Sequence, residues 1–119
     1  MTRVSIIDYG VGNLFSMKTA LKKTGVCVEI IKTPKEILNS DGVVLPGVGN
    51  FGAASVKLSP LAMPIRKTVA NGTYILGSCL GLQLLFQRSE EGQGEGLGLM
   101  KGWIRSFSGD LKIPHMGWN

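Results

Sequence analysis

The sequence predicts an α/β fold built on an open, mainly parallel twisted sheet with helices on both faces. Short, nearly continuous apolar segments alternate with segments of helical periodicity, which is typical of a parallel sheet with crossover helices. Glycine, proline and asparagine separate these segments and mark the turns between them. With 119 residues, of which 44% are hydrophobic, the chain has enough apolar sequence for one core. We therefore expect a single domain over residues 1–119.

The first half of the chain predicts three strands and two helices in alternation. Strands are predicted at 3–7, 26–31 and 43–45, and helices at 13–23 and 34–39. Leu14, Met17 and Leu21 recur at helical spacing on one face of the first helix, which a Thr-Gly pair ends. Thr33 followed by Pro34 is typical of a helix N-terminus and predicts where the second helix begins.

The second half continues this alternation and then changes in character. Helices are predicted at 53–57 and 63–70, a strand at 73–76 and a helix at 80–88. The segment 89–96 is rich in glycine and glutamate, and we expect it to be the most mobile part of the chain. Two later strands, at 102–107 and 111–116, are expected to pair in a more antiparallel manner.

A cysteine stands between two glycines at the corner between the predicted fourth strand and the helix that follows it. The motif is Gly77-Ser78-Cys79-Leu80-Gly81, the thiol counterpart of the serine elbow, in which glycines relieve steric contact at a sharp bend. A helix N-terminus favours an anion, and therefore the nucleophilic thiolate. The pattern predicts that Cys79 is a nucleophile; the alternative is a small buried cysteine in an ordinary strand-to-helix turn.

A second glycine-rich loop, Pro46-Gly47-Val48-Gly49, follows the predicted third strand. Elbow enzymes stabilise the oxyanion with the N–H of the residue after the nucleophile and with N–H groups from a loop after a neighbouring strand. Leu80 fits the first role, and Gly47, Val48 and Gly49 fit the second. Because open α/β sheets bind ligands beyond the carboxyl ends of their strands, we expect the two motifs to meet. A tight turn without a ligand is the alternative for this loop.

The two motifs, together with Gln83 four residues after the cysteine, resemble the class I glutamine amidotransferases. That family uses a Cys-His-Glu triad to hydrolyse glutamine and release ammonia. More narrowly, four segments are similar to the glutaminase subunit of imidazole glycerol phosphate synthase, namely 8–14, 45–49, 96–99 and 114–119. Ser78 departs from the family pattern, which more often has an apolar residue there. The resemblance implies a class I glutamine amidotransferase-like sheet.

The resemblance also implies roles for single residues on the substrate side. Cys79 would attack the side-chain amide of glutamine, and Gln83 and Glu91 would contact the amino-acid end of that substrate, where a carboxylate suits the ammonium group. Without the resemblance, Gln83 would be a solvent-facing helix residue and Glu91 a solvated loop acid.

On the partner side, the resemblance implies a heterodimer with the (β/α)₈ cyclase subunit of imidazole glycerol phosphate synthase. That subunit uses the ammonia to form imidazole glycerol phosphate and aminoimidazole ribotide in histidine biosynthesis. Asn13, Trp118 and Asn119 would face it. A tryptophan packed in the core is the alternative for Trp118.

The family places its catalytic histidine and glutamate in a His-x-Glu arrangement near the C-terminus of a domain of about 200 residues. His115 is the one histidine of this sequence, and Gly117 rather than a carboxylate stands two residues later, so we do not assign it as the base. We therefore expect an incomplete, C-terminally truncated domain that is inactive alone. The alternatives are a non-catalytic module that binds the cyclase subunit, and an amidotransferase that feeds ammonia to sugar biosynthesis.

Charge, cysteine content and hydropathy argue against other classes of protein. The net charge is +5, but the basic residues are scattered without interleaved aromatics, so we expect no nucleic-acid partner. Neither Cys27 nor Cys79 belongs to a metal-binding motif, and we expect no metal or cofactor and a core position for Cys27. Without a long apolar run or a visible secretory signal, we expect a cytoplasmic protein that does not contact membranes.

Overall fold

The computed structural model describes residues 2–106. The predicted strand at 111–116 and the predictions for His115, Trp118 and Asn119 lie outside these residues and stay predictions.

Strands and helices alternate four times in the described chain, before a short ribbon of two strands. The strands are β1 (Arg3–Ile7), β2 (Cys27–Ile31), β3 (Gly42–Leu45), β4 (Tyr74–Gly77), β5 (Arg88–Ser89) and β6 (Trp103–Ile104), and the helices are α1 (Leu14–Lys22), α2 (Pro34–Leu38), α3 (Phe51–Ala70) and α4 (Leu80–Leu84). The four predicted strand–helix units are confirmed. Between residues 2 and 106, no helix is long and apolar enough to cross a bilayer.

The first four strands form one parallel sheet in the order β2-β1-β3-β4. β1 pairs with β2 along its whole length, from Arg3 opposite Cys27 to Ile7 opposite Ile31. β3 pairs with the other side of β1. β3 also pairs with β4, and this pairing ends with Leu45 opposite Gly77. Because the strands are parallel, the loops after β1, β3 and β4 leave the same end of the sheet and lie side by side.

Helices cover both faces of the sheet, which confirms the predicted fold class. On one face, Ile7 of β1 belongs to a buried cluster with Phe51 of α3 and Leu84 of α4. On the other face, Ile6 and Val44 form a smaller cluster against which α1 packs. The first is called the helix-rich face below, and the second the α1 face. Successive strand residues point to opposite faces, which is why neighbours in β1 join different clusters.

A single helix, α3, replaces the two helices predicted for this stretch. Pro60 and Pro64 lie inside it, and each lacks the backbone N–H for one helical hydrogen bond. Leu58, Leu61 and Ile65 are all buried at a spacing of three or four residues. Burial of this continuous apolar stripe on the helix-rich face outweighs the two missing hydrogen bonds.

Three smaller predictions are wrong. The helix α4 ends at Leu84 rather than at 88, because the chain turns there towards β5. The predicted strand at 102–107 forms only the short β6, which pairs in parallel with β5, Arg88 opposite Trp103, and not in an antiparallel manner; its pairing with 111–116 lies outside the described residues. Cys27 is exposed rather than in the core, because its neighbour Val28 is the β2 residue that points inward.

The glycine-rich segment 89–96 contacts α3, and its expected mobility stays a prediction. The Ser55 hydroxyl donates to the Glu95 carbonyl oxygen over 2.5 Å, and Arg66 Nε donates to the Leu97 carbonyl oxygen over 2.8 Å. Specific contacts of these α3 side chains with backbone carbonyls hold the segment, and its composition does not predict them.

Candidate active site

Cys79 has the backbone conformation of a nucleophile elbow. Its φ is 55° and its ψ is −122°, and among residues 2–106 it is the only residue other than glycine with a positive φ. Such a conformation costs roughly 1–3 kcal/mol and persists only where the surrounding structure imposes it. The residue is exposed, so the alternative of a small buried cysteine is wrong.

Two glycines beside the cysteine make this bend possible. A Cβ on Gly77 would lie 2.7 Å from Leu82 Cα, and one on Gly81 would overlap the Leu45 carbonyl oxygen. Both neighbours are backbone atoms, which cannot move aside as a flexible side chain can. The prediction that these glycines relieve steric contact at the corner is confirmed.

The loop after β3 meets the elbow, as the sequence predicts. The Leu80 N–H donates to the Gly47 carbonyl oxygen over 3.3 Å, and a Cβ on Gly47 would lie 2.8 Å from the Gly81 nitrogen. Val48 is 58% exposed, and Gly49 has a φ of 97°, beyond which the chain enters α3. One of the N–H groups expected to bind an oxyanion is therefore already hydrogen-bonded to the loop that carries the others.

Tyr9, which the sequence analysis did not single out, holds this loop from the side of β1. Its side chain is 8% exposed, and its hydroxyl donates to the Pro46 carbonyl oxygen over 2.6 Å. Burial raises the pKa of the Tyr9 hydroxyl above its ordinary value. A signal was present in the sequence, because Tyr9 and Pro46 each follow a predicted strand, but only the pairing of β1 with β3 makes them neighbours.

Asn50 links the same loop to the segment that carries Glu91. It is the N-cap of α3, and its Oδ1 accepts from the Ala53 N–H over 3.1 Å. Its Nδ2 donates to the Glu91 carbonyl oxygen over 3.3 Å. Glu91, whose carboxylate is exposed, is therefore tied through its backbone to the end of the Pro46–Gly49 loop.

Gln83 lies one turn of α4 after the nucleophile, and its N–H donates to the Cys79 carbonyl oxygen over 3.4 Å. Its side-chain Oε1 is buried and has no hydrogen-bond partner, and within the described chain no other buried side-chain oxygen or nitrogen shares this state. Buried polar atoms are almost always paired, so this oxygen marks a place where a donor from a ligand would fit.

Asn13, the described member of the predicted partner interface, is exposed and caps α1. Its Oδ1 accepts from the Ser16 N–H over 3.1 Å. The neighbouring Gly12 lies against the oxyanion loop, since a Cβ there would be 3.1 Å from the Gly47 nitrogen.

Two grooves of the described chain lie away from the nucleophile. Two grooves of about 490 Å³ each lie along α3 and the segment 95–98, where Arg66, Glu95 and Leu97 line both of them, and Cys79 lines neither. We assign the candidate site to the elbow, because a strained nucleophile beside convergent backbone amides specifies a reaction and an open groove does not.

Comparison with known proteins identifies the family of the chain. The family model for class I glutamine amidotransferases matches residues 5–119. The imidazole glycerol phosphate synthase subunit HisH of Moorella thermoacetica is 48% identical over 122 residues, and that of Microcystis aeruginosa is 45% identical over 123 residues. Each alignment covers all of this chain and 58% of the relative, so the chain spans little more than half the length of these relatives.

A solved structure supports the fold alone. A crystal structure of a glutamine amidotransferase superposes with a TM-score of 0.73 at 20% identity, over 86% of this chain and 55% of that one. The family model matches nearly the whole sequence, and the elbow and the glycine-rich loop beside it are consistent with that match. The chain belongs to the class I glutamine amidotransferase family.

Proposed function

We propose that this chain carries the nucleophile and oxyanion loop of a glutaminase that releases ammonia from glutamine for a cyclase subunit. The observation that supports it best is the positive φ of Cys79 at a corner that contacts the Pro46–Gly49 loop. An ordinary strand-to-helix turn does not require this strained backbone conformation. A nucleophile whose side chain must be exposed at the start of its own helix does require it.

In the proposed reaction, the Cys79 thiolate attacks the carbonyl carbon of the glutamine side-chain amide. A C–S bond forms, and the carbonyl electron pair moves to the oxygen, which becomes an oxyanion. Amides of Leu80 and of residues 47–49 would bind that oxyanion. The C–N bond then breaks, ammonia leaves with a proton from the family's triad histidine, and water hydrolyses the γ-glutamyl thioester to glutamate.

The hydrogen bond between Leu80 N–H and the Gly47 carbonyl adds a condition to this mechanism. The Leu80 N–H can bind an oxyanion only after the Gly47 carbonyl releases it. The neighbouring Gly49 has a φ of 97° and no atom within 4 Å of its Cβ position, so the far end of the loop has room to turn. We therefore propose that the loop rearranges before catalysis.

Two polar groups near the elbow support glutamine as the substrate. The unpartnered Oε1 of Gln83 could accept a hydrogen bond from the substrate. The exposed carboxylate of Glu91 could bind the α-ammonium group, and Asn50 keeps its backbone next to the oxyanion loop.

The proposed partner is the cyclase subunit of imidazole glycerol phosphate synthase, in a cytoplasmic heterodimer that serves histidine biosynthesis. The similar proteins of Moorella thermoacetica and Microcystis aeruginosa carry the name of a subunit of that synthase. Asn13 would belong to the interface together with Trp118 and Asn119. The ammonia would be used there to form imidazole glycerol phosphate and aminoimidazole ribotide.

The test uses a chloroketone analogue of glutamine, whose chloride the cysteine thiolate displaces with formation of a C–S bond. The chain's two cysteines are both exposed, so Cys27 is an internal control. We expect mass spectrometry to find label on Cys79, competition by glutamine, and no specific label in Cys79→Ala, whereas Cys27→Ala is labelled like the wild type. Equal labelling of both cysteines, or labelling that glutamine does not slow, would contradict the proposal.

Turnover is measured in parallel, with and without the cyclase subunit. We expect little glutamine hydrolysis by the chain alone, because its one histidine is not followed by the carboxylate of the family's His-x-Glu pair. Strong turnover by the chain alone that Cys79→Ala abolishes would show that a base exists here and that the expectation of inactivity is wrong.

The second candidate is a module that binds the cyclase subunit without catalysis. The observation that favours it is that the Leu80 N–H donates to the Gly47 carbonyl oxygen, so this donor is not available to an oxyanion in the structure. Formation of a complex with the cyclase subunit at micromolar concentration, without glutamine-sensitive labelling of Cys79, would favour this candidate over the glutaminase.

A further inference from the structure

Tyr9 reaches from the end of β1 into the loop that follows β3. Its side chain is buried, and its hydroxyl donates to the Pro46 carbonyl oxygen over 2.6 Å. A Cβ on Gly47 would lie 2.8 Å from the same hydroxyl. We infer that Tyr9 is a positioning residue for the oxyanion loop, and this role rests on the function proposed above.

The peptide between Pro46 and Gly47 connects Tyr9 to the proposed chemistry. A peptide unit is planar, so its carbonyl and its N–H have fixed directions relative to each other. When Tyr9 holds the Pro46 carbonyl, it also sets the direction of the Gly47 N–H, one of the proposed oxyanion donors. The next carbonyl, that of Gly47, accepts from the Leu80 N–H over 3.3 Å. Tyr9 therefore acts on both sets of donors through one short stretch of backbone.

The hydroxyl, and not the aromatic ring, is the group that does this. The Tyr9 phenol is protonated at neutral pH because a tyrosine hydroxyl has an ordinary pKa of about 10, which burial raises further, so the group is a hydrogen-bond donor. Phenylalanine would fill nearly the same space in the core but would remove that donor from the Pro46 oxygen, and loss of a buried partner is costly. Tyr9→Phe therefore separates positioning of the loop from packing of the core.

The test compares Tyr9→Phe with Tyr74→Phe, which removes the same hydroxyl from the chain's other tyrosine, 85% exposed on β4. Amide hydrogen exchange is followed by NMR in the 119-residue chain at Leu80. The reference for unfolding of the core is the amide of Leu97, which donates to the Leu84 carbonyl over 2.7 Å. We expect Tyr9→Phe to speed exchange at Leu80 about tenfold and at Leu97 less than about twofold, and Tyr74→Phe to change neither.

Two results would overturn the role of Tyr9. Unchanged exchange at Leu80 would mean that the loop keeps its position without the hydroxyl. An equal rise at Leu80 and Leu97 would mean that the substitution weakens the whole core, so that Tyr9 is only a packed residue.

A kinetic measurement distinguishes failure of this role from failure of the proposed function. In any preparation in which the wild-type chain hydrolyses glutamine, alone or with the cyclase subunit, Tyr9→Phe should change kcat about tenfold and leave KM within about twofold. The reason is that the loop acts on the tetrahedral intermediate more than on bound glutamine. The change can go in either direction, because the substitution frees the Leu80 N–H from the Gly47 carbonyl but also releases the Gly47 N–H from its set direction. A rise in KM with an unchanged kcat would overturn the role. If the wild type hydrolyses no glutamine, labelling of Cys79 and its competition by glutamine decide the proposed function, and the exchange comparison still decides the role of Tyr9.

Discussion

The two faces of the four-stranded sheet differ in how completely they are covered. Within residues 2–106, the cluster on the helix-rich face contains 15 buried residues, drawn from strands, helices and the segment that ends at Leu97. The cluster on the α1 face contains three, Ile6, Val28 and Val44. Most of the stabilisation by apolar burial in the described chain therefore comes from one side of the sheet.

The contrast is sharpest at β4, the strand that leads to the nucleophile. Ile75 points to the helix-rich face and packs there. Leu76 lies next to the buried Val44 on the α1 face, yet it is 55% exposed, and Tyr74 is 85% exposed. The elbow follows a strand that is packed on one face only, so its geometry depends on the helix-rich face. Changes on that face should disturb Cys79, and changes on the exposed face of β4 should not.

The largest expected effect is at Gly81, where the helix-rich face meets the elbow. A Cβ there would overlap the Leu45 carbonyl oxygen, which is backbone and cannot yield. We expect Gly81→Ala to lower the free energy of unfolding by about 3 kcal/mol or more, or to prevent folding. Urea denaturation followed by circular dichroism measures this.

The matched control for Gly81 is Gly42→Ala in β3, which also adds one methyl group. There the Cβ would make ordinary contacts, 3.8 Å from the Tyr74 carbonyl oxygen. We expect Gly42→Ala to change the free energy of unfolding by no more than about 1 kcal/mol. Equal losses at the two glycines would contradict the claim that close backbone approach at the elbow is the cause.

A pair of leucines on neighbouring strands tests the two faces directly. Leu45 is fully buried on the helix-rich face, and Leu76 is 55% exposed on the α1 face. We expect Leu45→Ala to cost about 2–5 kcal/mol of stability, because it leaves a cavity, and Leu76→Ala to cost less than about 1 kcal/mol. Similar losses in urea denaturation would show that the exposed face of β4 is covered in solution.

The sequence predicted the parts of the site that depend on local backbone. The glycines around Cys79 predict a tight bend, and the glycine-rich loop after β3 predicts close contact between that loop and its neighbours, because only residues without a Cβ fit there. The meeting of the two motifs was also predictable, since parallel strands bring their following loops to one end of the sheet.

Other features depend on which elements pack together, and the sequence does not contain that information locally. Separate helices were predicted at 53–57 and 63–70, but α3 continues through both because its apolar stripe is buried along its length. Tyr9 is 37 residues from its partner Pro46, and the contact exists only because β1 lies beside β3. The parallel pairing of β5 with β6 is a further example, because no turn motif in the sequence predicts that these two strands pair.

An intermediate effect is expected on self-association, which tests the exposed face of β4 itself. Exposed apolar side chains on a strand at the edge of a sheet favour pairing between molecules. We expect sedimentation velocity to show concentration-dependent association of the wild type that Leu76→Lys reduces by about half or more. The control, Ala20→Lys, adds the same charge at an exposed position on α1 and should leave association unchanged. A monomeric wild type at all concentrations would contradict this expectation.

The smallest expected effect is at the rim of the helix-rich face, where a capping box begins α2. The Thr33 hydroxyl donates to Glu36 Oε1 over 2.7 Å and, with the Lys32 N–H, holds the pKa of Glu36 below its ordinary value. A carboxyl whose pKa is lower in the folded state stabilises the fold above its unfolded pKa, about 4.3. That contribution is lost as the pH falls through the folded value.

Glu36→Gln should therefore make the decline of stability between about pH 5 and pH 3 slightly shallower than in the wild type. Denaturation at pH 7 and across this acid range measures it, with Glu29→Gln as the control that removes the same charge from an exposed position on β2. The effect should be small because α2 is short and Glu36 is exposed, and because the described chain depends for its stability on the buried side of the sheet. A decline that is as shallow in Glu29→Gln as in Glu36→Gln would assign the pH dependence to overall charge and not to the capping box.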